Sequence, residues 1–212
     1  MVLQEKITNI VIAGAGGQGN LFASKVLAQA AMNKGLEVKI AETYGVAMRG
    51  GSVHSQIRFG VGEFGPLIPA HGADAIIGLE PLEALRLALD YACTATVIVT
   101  NTHAIAPVQG KGNTLPYPGL DGFAKFFRDL QVRDSFLLNA NKLAQDLGDA
   151  RAANMVMVGA LLGSEAISLS LDEIITAVEN LSPAGVVEKN TMALRKGFDC
   201  TQARLEDTPL AC

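Results

Sequence analysis

The chain has 212 residues, a formal net charge of −4 and a sequence pI of about 5.4. An acidic chain without clusters of Lys and Arg lacks the positive surface that binds phosphate backbones, so we expect no nucleic-acid partner. No apolar run reaches the roughly 20 residues that span a bilayer, and the N-terminus lacks the basic start and apolar stretch of a signal peptide. We therefore expect a soluble, cytoplasmic protein that does not bind membranes.

The cysteines and the chain length restrict the kinds of site and the number of domains. Cys93, Cys200 and Cys212 are far apart and form no Cys-x-x-Cys pair. This argues against a disulfide framework, a zinc site or a cysteine-held iron–sulfur cluster in this chain, and we predict no metal site. The length fits one domain over residues 1–212. A mean hydropathy of +0.28 indicates either a thick buried sheet or a surface that a partner chain covers.

The first forty residues predict a β-loop-α-β unit. Residues 7–13 are largely apolar, which suits a strand buried on both faces. Apolar residues then recur at helical spacing over 21–30, and Gly35 is a natural helix end. Residues 38–41 predict a second strand, which Glu42 ends.

The rest of the chain continues the alternation of strands and helices. Apolar and polar residues alternate strictly over 52–59, which predicts a strand with one wet or partner-covered face and favours antiparallel pairing. Further strands are predicted at 75–79, 96–100 and 135–138, and an irregular connection at 101–119. Helices are predicted from Pro81, at 123–130, at 152–162, at 171–181 with a capping box from Ser170 to Glu173, and at 186–204. The pattern predicts a three-layer α/β/α sandwich with a mixed, mostly parallel sheet and a Rossmann-like opening.

A glycine-rich loop separates the first strand from the first helix. Its glycines satisfy G-x-G-x-x-G in the correct context, and free N–H groups at a helix start favour an anion. Glu42 lies 23 residues after Gly19, where an acid would bind a ribose. The candidate binding residues are Gly14, Gly16, Gly17, Gln18, Gly19, Glu42, Gly50 and Gly51.

Three interpretations of this loop stay open. The glycines allow a tight turn and nothing more, or their amides bind an anion, or they bind a dinucleotide. A nucleotide-binding domain should continue after Glu42 with another helix and parallel strand. This chain instead has a glycine-punctuated loop and an alternating strand, and Gly17 adds flexibility that the fingerprint does not require. A stand-alone NAD(P)- or flavin-binding reductase is therefore one alternative.

A second glycine block carries a family resemblance. The loop at 14–19, followed by Glu-Thr-Tyr-Gly-Val-Ala-Met-Arg-Gly-Gly-Ser at 42–52, resembles the gamma chain of 2-oxoacid:ferredoxin oxidoreductases. Residues 66–69, 73–75 and 78–84 are similar to the indolepyruvate oxidoreductase beta-subunit branch. Residues 151–154 and Asn190 match the family's later pattern. The resemblance runs from about residue 7 to residue 197.

The resemblance implies a CoA- and thiamine diphosphate-dependent oxidative decarboxylation of a 2-oxoacid, with an arylpyruvate such as indolepyruvate favoured. It implies that thiamine diphosphate, magnesium and the iron–sulfur clusters lie on a large partner chain, which passes electrons to ferredoxin. Gly148-Asp149-Ala150 lacks the third glycine of the thiamine-binding motif, so this chain is expected to bind none of these cofactors alone. Whether CoA contacts this chain stays open, and a non-catalytic assembly subunit is a further alternative.

Arg49 is the candidate for an assisting catalytic role. A guanidinium can hold a carboxylate or phosphate with two parallel hydrogen bonds, each worth roughly 1.5–3 kcal/mol. Within the resemblance, Arg49 would face the shared active site or the CoA, or it would pair with a carboxylate at the subunit interface. His54 reads as a hydrogen-bonding interface residue, and His71 and His103 have no partner at triad spacing, so the sequence predicts no nucleophile–base pair.

We expect Arg49→Ala to lower turnover of the assembled enzyme while the complex stays intact, because the side chain would act on a bound anion. Steady-state kinetics and co-purification of the variant measure the two effects separately. Dissociation of the complex would instead assign Arg49 to the interface.

Overall fold

A six-stranded sheet runs through the centre of the molecule. The computed structural model describes residues 7–44, 50–105 and 117–206, so Arg49 lies outside the described residues. The strands are β1 (Thr8–Ala15), β2 (Glu37–Tyr44), β3 (Ser52–Gly60), β4 (Ala75–Gly78), β5 (Val97–Asn101) and β6 (Asp134–Leu138). The helices are α1 (Asn20–Asn33), α2 (Pro81–Tyr91), α3 (Leu120–Asp129), α4 (Ala140–Asp146), α5 (Ala153–Gly163), α6 (Leu171–Leu181) and α7 (Val187–Leu205).

The sheet is mixed, and one strand opposes the other five. The strand order is β2-β3-β1-β4-β5-β6. β3 is antiparallel to both of its neighbours, with Ile57 opposite Ile10 of β1 and Ile40 of β2. The pairs from β1 through β6 are parallel. The expected mixed, mostly parallel sheet is therefore confirmed, as is the antiparallel pairing of the alternating strand.

Helices cover the two faces of the sheet unequally. One hydrophobic core joins alternate residues of the central strands, such as Ile10 and Ile12, to α1, α4, α5, α6 and α7. The opposite residues, such as Val11 and Ile76, pack with α2 and α3 in a second core. This is the predicted three-layer arrangement. In the described ranges, no helix combines the length and the apolar character needed to cross a membrane.

Local sequence signals set most helix boundaries. The predicted capping box forms at α6, where the Ser170 hydroxyl accepts the Glu173 N–H and the Glu173 carboxylate accepts the Ser170 N–H. Gly35 ends α1 with φ +81°, a conformation that favours glycine. Helix α4 was not predicted. It is only seven residues long and begins with Asn139 as its cap, whose side chain accepts the Lys142 N–H.

Helices α5 and α7 pack backbone against backbone through glycines. A Cβ added at Gly159 would lie 1.9 Å from the carbonyl oxygen of Leu194, and one added at Gly197 would lie 1.9 Å from that of Val156. The two glycines are thus reciprocal, each leaving room for the other helix. The sequence indicated close packing at Gly159, and the structure identifies α7 as the neighbour.

We expect Gly159→Ala to lower the free energy of unfolding by about 3 kcal/mol, since a methyl group there forces two rigid helices apart. Gly122→Ala in α3 is the matched control, because its nearest atom would be Pro118 Cβ at 3.7 Å. Alanine favours a helix over glycine by about 1 kcal/mol, so the control should be neutral or stabilising. Thermal unfolding of the two variants makes the comparison, and equal stability would contradict this account of the contact.

Candidate functional site

The candidate site is a crevice at the carboxyl ends of the parallel strands. β1 leads into α1 on one face of the sheet, whereas the neighbouring strand β4 leads into α2 on the other. Ligands of open α/β sheets bind where adjacent strands diverge in this way. A cavity of about 470 Å³ lies at this point, on the side of α4 and α5. Its lining includes Gly17, Gln18, Gly19, Leu79, Asn101, His103, Ile105, Asn141, Arg151 and Asn154.

The two glycine segments predicted from the sequence meet at this edge. The Gly16 N–H donates to the Gly51 carbonyl at 2.9 Å, and the Gly50 N–H donates to the Gly16 carbonyl at 3.2 Å. Gly17 and Gly19 have φ of +104° and +85°, so the loop uses conformations that side chains disfavour. Within the described ranges, the N–H groups of Gly17 and Gly19 donate no hydrogen bond. These amides are thus available to an acceptor on a ligand.

Gln18 holds the glycine loop against the end of β4. Its Oε1 accepts the Ala15 N–H at 2.7 Å, and its Nε2 donates to the Leu79 carbonyl at 2.9 Å. The side chain therefore lies inside the loop instead of projecting from it. A Cβ on Gly14 would lie 2.9 Å from Gln18 Oε1, which explains the glycine there.

Asn101 fixes the neighbouring wall of the crevice. Its Nδ2 donates to the Leu79 carbonyl at 3.2 Å and to Asn141 Oδ1 at 2.8 Å. Its Oδ1 accepts the N–H groups of Ala140 at 3.0 Å and His103 at 3.3 Å. All four hydrogen-bonding positions of this buried amide are filled, so it holds the ends of β5 and β6 together.

The crevice presents donors rather than acceptors. Asn141 accepts a hydrogen bond from Asn101 through its Oδ1. Its Nδ2 has no acceptor in the part of the chain that the structure describes. Asn154 uses one N–H on the Gly19 carbonyl at 3.2 Å and retains another. His103 lies exposed at the edge, and no Asp or Glu is among the described lining residues. The arrangement suits a ligand rich in acceptors or carrying negative charge.

Arg151 lies at the mouth of the crevice, oriented by Asp149. Its Nε and Nη2 donate to the two carboxylate oxygens at 2.9 and 2.7 Å. These bonds lower the pKa of Asp149 to about 2, so its carboxylate is charged at neutral pH. The side chain of Arg151 is 83% exposed. A guanidinium has five donors, so three are left for other acceptors.

The carboxylate of Glu42 is hydrogen-bonded to two serines of this chain. It accepts the Ser24 hydroxyl at 2.9 Å and the Ser55 hydroxyl at 2.6 Å. β3 lies between β1 and β2, so Glu42 stands two strand spacings, roughly 9.5 Å, from the strand that carries the glycine loop. In a dinucleotide-binding sheet these strands are neighbours. The geometry thus favours a structural role for Glu42, and its ligand role stays a prediction.

The histidines differ in their surroundings. Burial lowers the pKa of His54 below its ordinary value of 6.5, although the charges of Glu42, Glu83 and Asp90 oppose the shift. His54 is therefore neutral at pH 7. His71 lies in hydrogen-bonding distance of the Ala92 carbonyl, at 3.0 Å. In residues 7–44, 50–105 and 117–206, no group of three His, Cys, Asp or Glu is placed to hold a metal ion.

Comparison with known protein families shows to which family the chain belongs. The family model described as pyruvate ferredoxin/flavodoxin oxidoreductase matches residues 9–200. The chain belongs to this family. A curated relative, indolepyruvate oxidoreductase subunit IorB of Archaeoglobus fulgidus, is 39% identical over 191 residues, which cover 90% of this chain and 94% of the relative. The family resemblance found in the glycine blocks is thereby confirmed.

Solved structures share the fold. The gamma subunit of a keto/oxoacid ferredoxin oxidoreductase from Geobacter sulfurreducens matches with a TM-score of 0.66 and 23% identity, over 92% of this chain and 99% of that one. A 2-oxoglutarate:ferredoxin oxidoreductase from Magnetococcus marinus, solved with 2-oxoglutarate, coenzyme A and succinyl-CoA bound, matches with a TM-score of 0.65 and 22% identity. The match covers 93% of this chain but 31% of that one, so it concerns one part of a longer protein.

Sequence reasoning found one side of the crevice and missed the other. The glycine loop was identified from its spacing, and 151–154 from the family pattern. Asn101 and Asn141 were not selected, and His103 was dismissed because it lacked a triad partner. The available signal was their position at or shortly after the carboxyl ends of parallel strands, which form binding crevices.

We expect Gln18→Ala to lower the free energy of unfolding by about 1–3 kcal/mol, because it leaves the part-buried Ala15 N–H without its acceptor. Gln29→Ala is the matched control on α1, where the side chain only donates to Asn33 at 2.8 Å and its loss should cost at most about 0.5 kcal/mol. Urea unfolding of both variants tests the difference. An unchanged free energy of unfolding for Gln18→Ala would show that the loop does not depend on this side chain.

Proposed function

We propose that this chain is a subunit of a 2-oxoacid:ferredoxin oxidoreductase of the indolepyruvate or arylpyruvate type. The observation that supports this proposal is the 39% identity to an indolepyruvate oxidoreductase subunit, over nearly the whole of both chains. In this proposal the large partner chain binds thiamine diphosphate, magnesium and the iron–sulfur clusters, and ferredoxin is the electron acceptor. Thiamine diphosphate supplies the decarboxylation chemistry, and the complex works in the cytoplasm.

We further propose that the crevice of this chain contacts the co-substrate CoA. CoA carries several phosphate oxygens, and the crevice offers the N–H groups of Gly17 and Gly19, the amides of Asn141 and Asn154, and Arg151 at its mouth. Charge-assisted hydrogen bonds of this kind favour phosphate. A volume of about 470 Å³ accommodates a part of the molecule, and the rest would extend toward the partner chain. The role of this chain is then to bind and orient CoA.

Purification of the tagged chain from its native host tests the subunit assignment. We expect a large thiamine- and iron–sulfur-containing chain in stoichiometric amount, and CoA-dependent reduction of ferredoxin with indolepyruvate faster than with pyruvate or 2-oxoglutarate. A chain that elutes alone and binds a nicotinamide cofactor would contradict the proposal. Preference for another 2-oxoacid would overturn the substrate class only.

Asn141→Asp in the assembled enzyme tests the CoA contact. The substitution keeps the size of the side chain and the acceptor for Asn101, but it replaces the free amide with a negative charge. We expect the KM for CoA to rise at least about tenfold, because a carboxylate repels phosphate. The KM for the 2-oxoacid should stay within about twofold, since its pocket lies on the partner chain. Asn33→Asp, at the surface end of α1, is the charge-matched control. Unchanged CoA kinetics for Asn141→Asp would refute a CoA contact at this crevice.

A further inference from the structure

Glu80 is a buried carboxylate that joins three segments next to the crevice. The residue is 2% exposed and follows β4 as the N-cap of α2. Its Oε2 accepts the Glu83 N–H at 2.9 Å, which caps the helix. Its Oε1 accepts the Ile105 N–H at 3.3 Å and a short hydrogen bond from the Tyr117 hydroxyl. One side chain thus links the start of α2 to the residues after β5 and to those before α3.

The crevice wall at 103–105 depends on side chains for its position. This stretch follows β5, and both His103 and Ile105 line the cavity. Among the described residues, the acceptors for their N–H groups are Asn101 Oδ1 and Glu80 Oε1, both at 3.3 Å. A segment without backbone ladder bonds is only as well fixed as the groups that hold it. Loss of either side chain would let this wall move.

Tyr117 supports Glu80 from the other side. Its ring packs against Phe123 of α3 with centroids 5.8 Å apart, and its hydroxyl accepts the Leu82 N–H at 3.3 Å while donating to Glu80. Burial and the hydrogen bond to Glu80 raise the pKa of Tyr117. The hydroxyl therefore remains a donor throughout the working pH range. Its fixed position leaves Glu80 Oε1 little freedom.

We propose that Glu80 is a positioning residue for the ligand of the crevice. By holding Ile105, it sets the place of the His103–Ile105 wall, and it does so in addition to capping α2. This role rests on the CoA contact proposed above. Glu80 does not touch the ligand, because its oxygens are already engaged by Glu83, Ile105 and Tyr117.

Glu80→Asp separates the two roles of the side chain. Aspartate is a strong N-cap, so the bond to the Glu83 N–H can be kept. The side chain is one methylene shorter and would no longer reach both Ile105 and Tyr117. In the assembled enzyme we expect the KM for CoA to rise about tenfold with kcat within about twofold, the size expected for the loss of one or two hydrogen bonds. The Kd of CoA, measured by calorimetry without 2-oxoacid, should rise by the same factor.

Two further variants provide an independent test and a control. Tyr117→Phe removes only the hydroxyl and should raise the KM and Kd for CoA about threefold, so it settles the matter if Glu80→Asp fails to assemble. Glu83→Gln is the matched control on the same helix, where the side chain contacts Arg86 and Ser52 and not the wall. It should leave both constants within about twofold.

The outcomes distinguish this role from the CoA contact itself. If Asn141→Asp weakens CoA binding but Glu80→Asp and Tyr117→Phe do not, the positioning role is wrong and the contact stands. If none of the three variants changes the KM or Kd for CoA, CoA does not bind in this crevice, and the positioning role of Glu80 is wrong as well. A loss of kcat together with equal rises in the KM for CoA and for the 2-oxoacid would indicate general damage and would also overturn the proposal.

Discussion

The crevice depends on the backbone of one residue, Leu79, which directly follows β4. Its N–H donates to the Ala13 carbonyl at 2.7 Å, and its carbonyl accepts both Gln18 Nε2 and Asn101 Nδ2. The backbone of this residue thereby ties together the end of β1, the glycine loop and the end of β5. Each bond is worth about 1 kcal/mol on its own, and because all three involve the same residue, they hold the three segments in a fixed relation. Displacement of Leu79 would alter both walls of the crevice at once.

The sequence predicted features that depend on near neighbours and failed where distant residues decide. The capping box of α6 and the left-handed Gly35 are local, and both form as expected. The alternation over 52–59 correctly predicted antiparallel pairing, but no local pattern places β3 between β1 and β2. Asn101 and Asn141 meet only because β5 and β6 pair in register. The donor-rich wall is therefore a product of the strand order, which sequence periodicity does not encode.

The strand order also distinguishes this sheet from a dinucleotide-binding one. In a dinucleotide-binding fold, the second strand lies beside the first and presents its acid to the ribose. Here β3 takes that place, and its Ser55, with Ser24 of α1, engages the carboxylate of Glu42. The same antiparallel strand brings Gly50 and Gly51 against Gly16. The glycine loop thus keeps its exposed amides, while the Glu42 carboxylate is hydrogen-bonded within the chain.

The polarity of the crevice fits a division of labour between subunits. Apart from His103 at the edge, its donors are amides, backbone N–H groups and Arg151, which do not exchange protons at neutral pH. Two carboxylates next to its walls hold other residues: Asp149 binds Arg151, and Glu80 binds Ile105 and Tyr117. A carboxylate facing the cavity would repel a phosphate-bearing ligand, whereas one behind the wall fixes the donors in place. These two acids therefore orient neighbouring groups, and in the proposed complex the bond-making would belong to the chain that carries the thiamine cofactor.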